Sequence, residues 1–244
     1  MSRIIVVFSG GQDSTTCLFW ALNMYGSDVH ALSFNYGQRH AVELQAAAKI
    51  AKRAGVSHEI LALPDNILAS TSPLVNKTYE VGQYANANEL PGGIEPTFIP
   101  GRNALFLTLA ANRAAALGAR HIVTGVCEAD SGGYPDCRAE FITKLQEALA
   151  LGIFNHPIGL AIYTPLMHLT KKQSVELAQQ LPGCMDALAD SHTCYTGGVP
   201  ACGKCHACII RARGFLEAAV PDPLITAQIA AGLLPQEYNP YGAL

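Results

Sequence analysis

The run Ser9-Gly10-Gly11-Gln12-Asp13-Ser14 sets two adjacent glycines, two hydroxyls and a carboxylate directly after the apolar stretch Ile4 to Phe8. Adjacent glycines let backbone N–H groups come close to an anion, and a helix starting there adds about half a positive charge aimed at it. Ser9, Ser14 and Thr15 can donate hydroxyl hydrogen bonds to phosphate oxygens, and Asp13 can reach a magnesium ion bridging them. The chemistry implied is polyphosphate binding. The run lacks the lysine of a Walker loop and the G-x-G-x-x-G spacing of a dinucleotide loop. A plain strand-to-helix turn, capped by Asp13 or Ser14, would use the same residues without a ligand.

A second group is the spacing C-x7-C-x2-C-x2-C of Cys194, Cys202, Cys205 and Cys208. Four thiolates from one segment are what tetrahedral zinc requires, and a shell filled by protein leaves no open position for substrate. The metal is therefore expected to be structural, holding a Gly-rich stretch that cannot build a core. The C-x2-C-x2-C run also resembles iron–sulfur ligation, so a cluster with Cys194 as fourth ligand stays open. His192 and His206 lie close by and are expected outside the ligand shell or on the surface. Cys17, Cys127, Cys137 and Cys184 are scattered, and Cys127 and Cys137 read as packed or pocket-lining thiols.

These groups need elements to hold them. Short β-branched runs alternate with longer helical stretches, the signature of α/β architecture. Expected strands are Ile4 to Phe8, Val29 to Phe34, His58 to Leu63, His121 to Val126 and Leu160 to Tyr163. Expected helices are Ser14 to Tyr25, Ala41 to Ala54, Asn103 to Leu117, Ala139 to Leu151 and Lys171 to Gln180, the last opened by Thr170 and Gln173 as a capping box. The pattern predicts a doubly wound, mostly parallel sheet with helices on both faces. From Pro64 to Gly101 periodicity is lost, which predicts a mobile functional loop or lid. After Gln180 the alternation stops, and only Ile209 to Ala219 reads as helix. The chain divides accordingly into an α/β domain over 1–183 and a zinc-binding, helical segment over 184–244.

The formal net charge of −3, with 16 Lys and Arg among 244 residues, gives no basic field to hold nucleic acid. Small-molecule partners are expected. Ile4 to Phe8 is too short for a secretory core. Thr108, Asn112 and Arg113 interrupt the apolar stretch Ala104 to Leu117, which falls short of a membrane span. Soluble, cytoplasmic behaviour is expected, where reduced thiols favour metal binding over disulfides.

Three polar clusters fall where loops at the sheet edge belong: Tyr36-Gly37-Gln38-Arg39-His40, Pro100-Gly101-Arg102-Asn103, and Asp130 through Arg138. Each alone would also serve as a capped helix start or a solvated loop. Ser-Gly-Gly-x-Asp-Ser after an N-terminal strand resembles the loop of the N-type ATP pyrophosphatases, which split ATP between its α and β phosphates to adenylate a substrate. Taken in order, Phe-Ser-Gly-Gly-Gln-Asp-Ser, Tyr-Gly-Gln-Arg-His, Pro-Gly-Arg-Asn, Tyr-Pro-Asp-Cys-Arg and the cysteine segment resemble the 7-cyano-7-deazaguanine synthase family, from about Ile4 to Phe215. One departure is Ser131-Gly132-Gly133, where the family shows an aromatic-Ser-Gly run.

The resemblance implies an adenine nucleotide alpha hydrolase-like fold and an ATP-dependent ligase that turns 7-carboxy-7-deazaguanine and ammonia into the nitrile. It implies structural Zn²⁺, Mg²⁺ with ATP, and a homodimer. It places Asp13, Arg102 and Lys171 in catalysis, and Phe8, Ser9, Gly10, Gly11, Gln12, Asp13, Ser14, Thr15, Thr16, Cys17 and Leu18 on the nucleotide. It places Gln38, Arg39, Asp130, Tyr134, Asp136 and Arg138 on the substrate. A tRNA-thiolating relative using Cys127 and Cys137 is the rival enzyme. A non-catalytic nucleotide sensor or zinc-bearing interaction module is the rival of another class.

Overall fold

A computed structural model describes residues 3–64, 66–128 and 133–240. Strands β1 (Ile4–Val7), β2 (Val29–Asn35), β3 (Ser57–Ala62), β4 (His121–Val123) and β5 (Ala161–Tyr163) form one sheet in the order β3-β2-β1-β4-β5. Every neighbouring pair is parallel. Strand order runs outward in both directions from β1, so the winding reverses between β1 and β4. The loops leaving those two strands diverge and open a crevice at their carboxyl ends.

The helices are α1 (Gln12–Tyr25), α2 (Val42–Ala54), α3 (Arg102–Ala116), α4 (Ala139–Phe154), α5 (Lys171–Gln180), α6 (Cys184–Leu188), α7 (His206–Glu217) and α8 (Pro223–Ala230). A parallel sheet needs cover on both faces, and the period of two along β1 supplies it: Ile4, Val6 and Phe8 enter one core while Ile5 enters the other. Helices α1, α2, α5, α6 and α7 bury their apolar residues in the first core, and α3 and α4 in the second. Phe215 of α7 is fully buried in the first core together with Leu18 and Val175. The C-terminal segment thus shares its core with the sheet.

Several boundaries differ from those the sequence suggested, each for a local reason. Helix α1 opens at Gln12, with Gly11 at its N-cap and no side-chain cap, so neither Asp13 nor Ser14 is spent on capping. Strand β4 stops at Val123 rather than Val126; Thr124 N–H still donates to Tyr163 O at 3.0 Å, but the chain then turns across the start of α1. A Cβ on Gly125 would lie 3.1 Å from the Asp13 carbonyl carbon. Helices α6 and α8 were not anticipated. Asp222, which accepts from Leu224 N–H ahead of Pro223, is a start signal for α8 that was there to be read. The capping box of α5 is as expected, with both reciprocal hydrogen bonds formed.

The 64–101 connection holds one short 3₁₀ turn, Ala87–Glu89. It is nonetheless fastened at several points. Leu74, Val81, Thr97 and Ile99 are buried, Ser72 Oγ donates to Thr97 O at 2.9 Å, and Tyr84 N–H donates to Lys204 O at 2.9 Å. Among the described residues no helix is long and apolar enough to cross a membrane.

Because Phe215 closes the core shared by sheet and C-terminal segment, Phe215→Ala should cost about 3–5 kcal/mol in urea unfolding, as for other buried aromatic truncations. Leu216→Ala, at a neighbouring exposed position, is the control and should cost under ~1 kcal/mol. Equal costs would show that the C-terminal segment is not part of that core.

Candidate active site

At the β1–α1 turn the backbone folds around two hydroxyls. Ser14 Oγ accepts from the N–H groups of Ser9 and Gly10, both at 3.2 Å, and donates to Gly11 O at 3.2 Å; Gly11 N–H donates to Ser9 Oγ at 3.2 Å. These are long bonds, held by groups that a phosphate oxygen could replace as acceptor. Gly10 has φ +84°, and a Cβ there would sit 2.6 Å from both Ala47 N and Glu43 O. The turn therefore lies backbone to backbone on α2, where only glycine fits. From the far side His192 N–H donates to Gly10 O at 2.9 Å, and Gln12 N–H reaches Thr193 Oγ1 at 3.4 Å.

Asp13 stands at the open end of α1, where both carboxylate oxygens receive Lys171 Nζ at 2.8 Å. Lys171 is the first residue of α5, so the capping box at Thr170 and Gln173 fixes where its side chain starts. Gly214 of α7 makes room for that side chain: a Cβ there would lie 2.3 Å from Lys171 Cγ. Three elements far apart in sequence thus deliver one ion pair to the phosphate cradle.

Across the crevice, Arg102 opens α3 and hydrogen-bonds Tyr36, with Tyr134 and Tyr195 also facing its charge. Burial pushes the hydroxyls of Tyr36 and Tyr134 up to about 12, so both remain neutral donors. Tyr134 Oη shares a hydrogen with Thr97 Oγ1 at 2.6 Å, and Thr97 is in turn held by the buried Glu95 carboxylate. Phe34 and Phe106 stack at 4.2 Å and 9°. Asp136, raised by burial against the opposing pull of Arg102, accepts from Asn103 N–H at 3.3 Å.

Between these walls lies a cavity of about 280 Å³ lined by Ser9, Gly11, Gln12, Asp13, Ser14, Arg102, Tyr134 and Lys171 among others. Of the expected nucleotide run, Thr15, Thr16, Cys17 and Leu18 turn into the protein instead. Thr16 Oγ1 donates to Gln12 O, and Cys17 and Leu18 are core residues, because a helix one turn in from its start presents its other side to the sheet. Gln38 does not line the cavity; its amide is committed to Tyr36 N–H, Phe34 O and Glu43. Arg39 donates to Pro73 O at 2.9 Å and Tyr79 O at 2.7 Å, fastening the long connection. Arg138 is exposed at the N-cap of α4, and Asp130 lies outside the described residues.

Tyr36 and His40, from the cluster expected at the sheet edge, line the cavity, and Phe34, Glu43, Phe106, Thr193 and Tyr195 reach it without having been singled out for it. His192 and His206, expected outside the ligand shell or on the surface, lie outside the four-cysteine group but are buried, and they line the cavity as well. Burial keeps the His192 imidazole below its ordinary range and so neutral. Cys127 and Cys137 also border the cavity, but the Cys137 thiol is pushed up to about 12 by burial and Cys127 Sγ donates to Leu169 O at 3.2 Å. Neither fact suits a thiolate nucleophile.

The four cysteines converge, their sulfurs all within 4.8 Å of one another, with Cys202 and Cys208 at 3.9 Å. Tetrahedral thiolates around zinc, at about 2.3 Å per bond, stand roughly 3.8 Å apart, so the donor set fits such an ion closely. The thiol of Cys194 is held low by the three sulfurs beside it.

The family described as "Queuosine biosynthesis protein QueC" matches residues 3–219. The chain is 53% identical over 227 residues to the 7-cyano-7-deazaguanine synthase of Gloeobacter violaceus, covering 92% of this chain and 96% of that one. It is 47% identical over 224 residues to the synthase of that name from Chromobacterium violaceum, covering 91% and 93%. With residues 3–219 matched by the family and 92% of the chain covered by a relative at 53% identity, the chain belongs to the QueC family of queuosine biosynthesis proteins.

Proposed function

We propose that the protein is an ATP-dependent ligase that converts 7-carboxy-7-deazaguanine and ammonia into 7-cyano-7-deazaguanine. The observation that carries this is one crevice holding both an anion cradle with an ion pair at its mouth and, opposite, an arginine ringed by tyrosines beside an aromatic stack. A carboxylate has no competent leaving group. Its oxygen therefore attacks the α-phosphorus, pyrophosphate departs, and ammonia displaces AMP to give the amide and a proton. A second ATP adenylates the amide oxygen with release of a second pyrophosphate and one nitrogen proton, and loss of AMP with the remaining nitrogen proton leaves the nitrile.

In this reading Ser9, Gly10, Gly11 and Ser14 turn their donors from one another to the β and γ phosphates. Lys171 would turn from Asp13 to the phosphates, and the Asp13 carboxylate so freed would hold the Mg²⁺ that comes with ATP and supplies charge neutralisation. Arg102, on the other wall, takes the reacting carboxylate and α-phosphate. The stacked Phe34 and Phe106 offer an apolar wall to a purine-like ring, and Tyr134 borders its polar edge. Gln38 and Arg39 brace the loops around the cavity without touching substrate.

The four cysteines hold Zn²⁺, which would tie the knuckle together without taking part in the chemistry. Small-molecule rather than nucleic-acid partners belong to the same reading, supported by net charge, as do a homodimeric assembly, a cytoplasmic location and a division at residue 183, beyond which the chain carries the cysteine knuckle while sharing the core of the sheet. The high Cys137 thiol speaks against sulfur transfer.

Incubation with the carboxylate, ammonium and ATP, followed by mass spectrometry, should yield the nitrile, with the amide as a transient; AMP without either would contradict the assignment. Gly214→Ala should drive Lys171 off Asp13, lowering kcat at least tenfold with circular dichroism unchanged; full activity would remove Lys171 from the machinery. Cys205→Ser should lose zinc by elemental analysis and melt several degrees lower, whereas retained zinc would count against the four-cysteine shell.

A further inference from the structure

Thr193 sits between His192, whose N–H holds Gly10 O, and Cys194 of the knuckle. Its Oγ1 accepts from Gln12 N–H at 3.4 Å and from Arg211 Nη1–H at 3.0 Å. A hydroxyl has two lone pairs and one hydrogen. Both donors are groups that cannot accept, so the two lone pairs are taken and the hydrogen is left to give. Thr193 lines the cavity beside Ser9, Gly11 and Asp13, and among the described residues no acceptor is found for that hydrogen.

The donors behind it are fixed. Arg211 is buried and gives Nε and Nη2 to the two oxygens of Asp222 at 2.6 and 2.8 Å, while Nη1 also reaches Ser191 Oγ at 2.8 Å. The side chains of the pair are 5% and 3% exposed. With its charge balanced by Asp222, Arg211 acts on the cavity by holding the threonine oxygen in place rather than by its own field. Gln12 N–H, from the uncapped first turn of α1, fixes the same oxygen from the loop side.

We propose that Thr193 is a further member of the pyrophosphate cradle, its hydroxyl donating to a β or γ phosphoryl oxygen, and that the Arg211–Asp222 pair is its positioning device. The proposal rests on reading Ser9 to Ser14 as the cradle. It extends that cradle beyond the N-terminal loop to the segment that runs into the metal knuckle.

The test is calorimetric titration of the zinc-loaded protein with magnesium pyrophosphate, and separately with AMP. Thr193→Val should weaken pyrophosphate about tenfold or more and leave AMP within twofold, while Thr193→Ser should keep both near the parent values. Thr193→Ala, which adds no bulk, reads the same quantities if the valine variant does not fold. Unchanged pyrophosphate affinity, or equal weakening of both ligands, would overturn the proposal. Failure of the parent protein to bind pyrophosphate would instead sink the cradle reading beneath it.

Discussion

The structure depends on a close approach of backbone to backbone. At Gly10 the β1–α1 turn lies on α2 so tightly that a single Cβ would come within 2.6 Å of main-chain atoms. That contact leaves the turn no freedom to sag away from the crevice. With Gly11 at an uncapped helix start, the amides of the turn stay close to the sheet edge and unclaimed by a capping side chain. A ligand with several negative oxygens is the natural partner for such a surface.

Around that turn the chain places one contact after another from distant positions. His192 holds Gly10 O, Lys171 holds Asp13, Gly125 crosses the start of α1, and Gly214 clears space for Lys171. Most of these partners lie beyond residue 160, which is why the C-terminal segment has to share the core of the sheet: a segment docked loosely could not hold a lysine and a threonine at fixed positions beside the loop. The cysteine knuckle works to the same end. Val81 packs among Cys194, Cys205 and Cys208, and Tyr84 binds Lys204, so the knuckle also fastens the long connection that carries Glu95 and Thr97 toward Tyr134.

What was legible in the sequence was whatever local chemistry decides. The β-branched run of β1, the Thr170–Gln173 capping box, the twin-glycine turn and the cysteine spacing all reappear in the structure close to where they were read. What was not legible depends on partners distant in sequence. Gln38 and Arg39 have the look of ligand-binding groups, yet backbone acceptors at Phe34, Pro73 and Tyr79 claim them. Thr15 to Leu18 continue the nucleotide motif in one dimension, but helical rotation carries them into the core. In the other direction Thr193 and Glu43 carry no motif of their own. They reach the cavity because α2 and the knuckle bring them there.

The central claim is that the amides of the β1–α1 turn exchange their present hydroxyl partners for phosphate oxygens. Backbone ¹⁵N–¹H shifts followed during titration with magnesium pyrophosphate test it most directly. The resonances of Ser9, Gly10 and Gly11 should move downfield in proton together and saturate at one affinity. If those three stay in place while other amides shift, the anion binds elsewhere and the account fails.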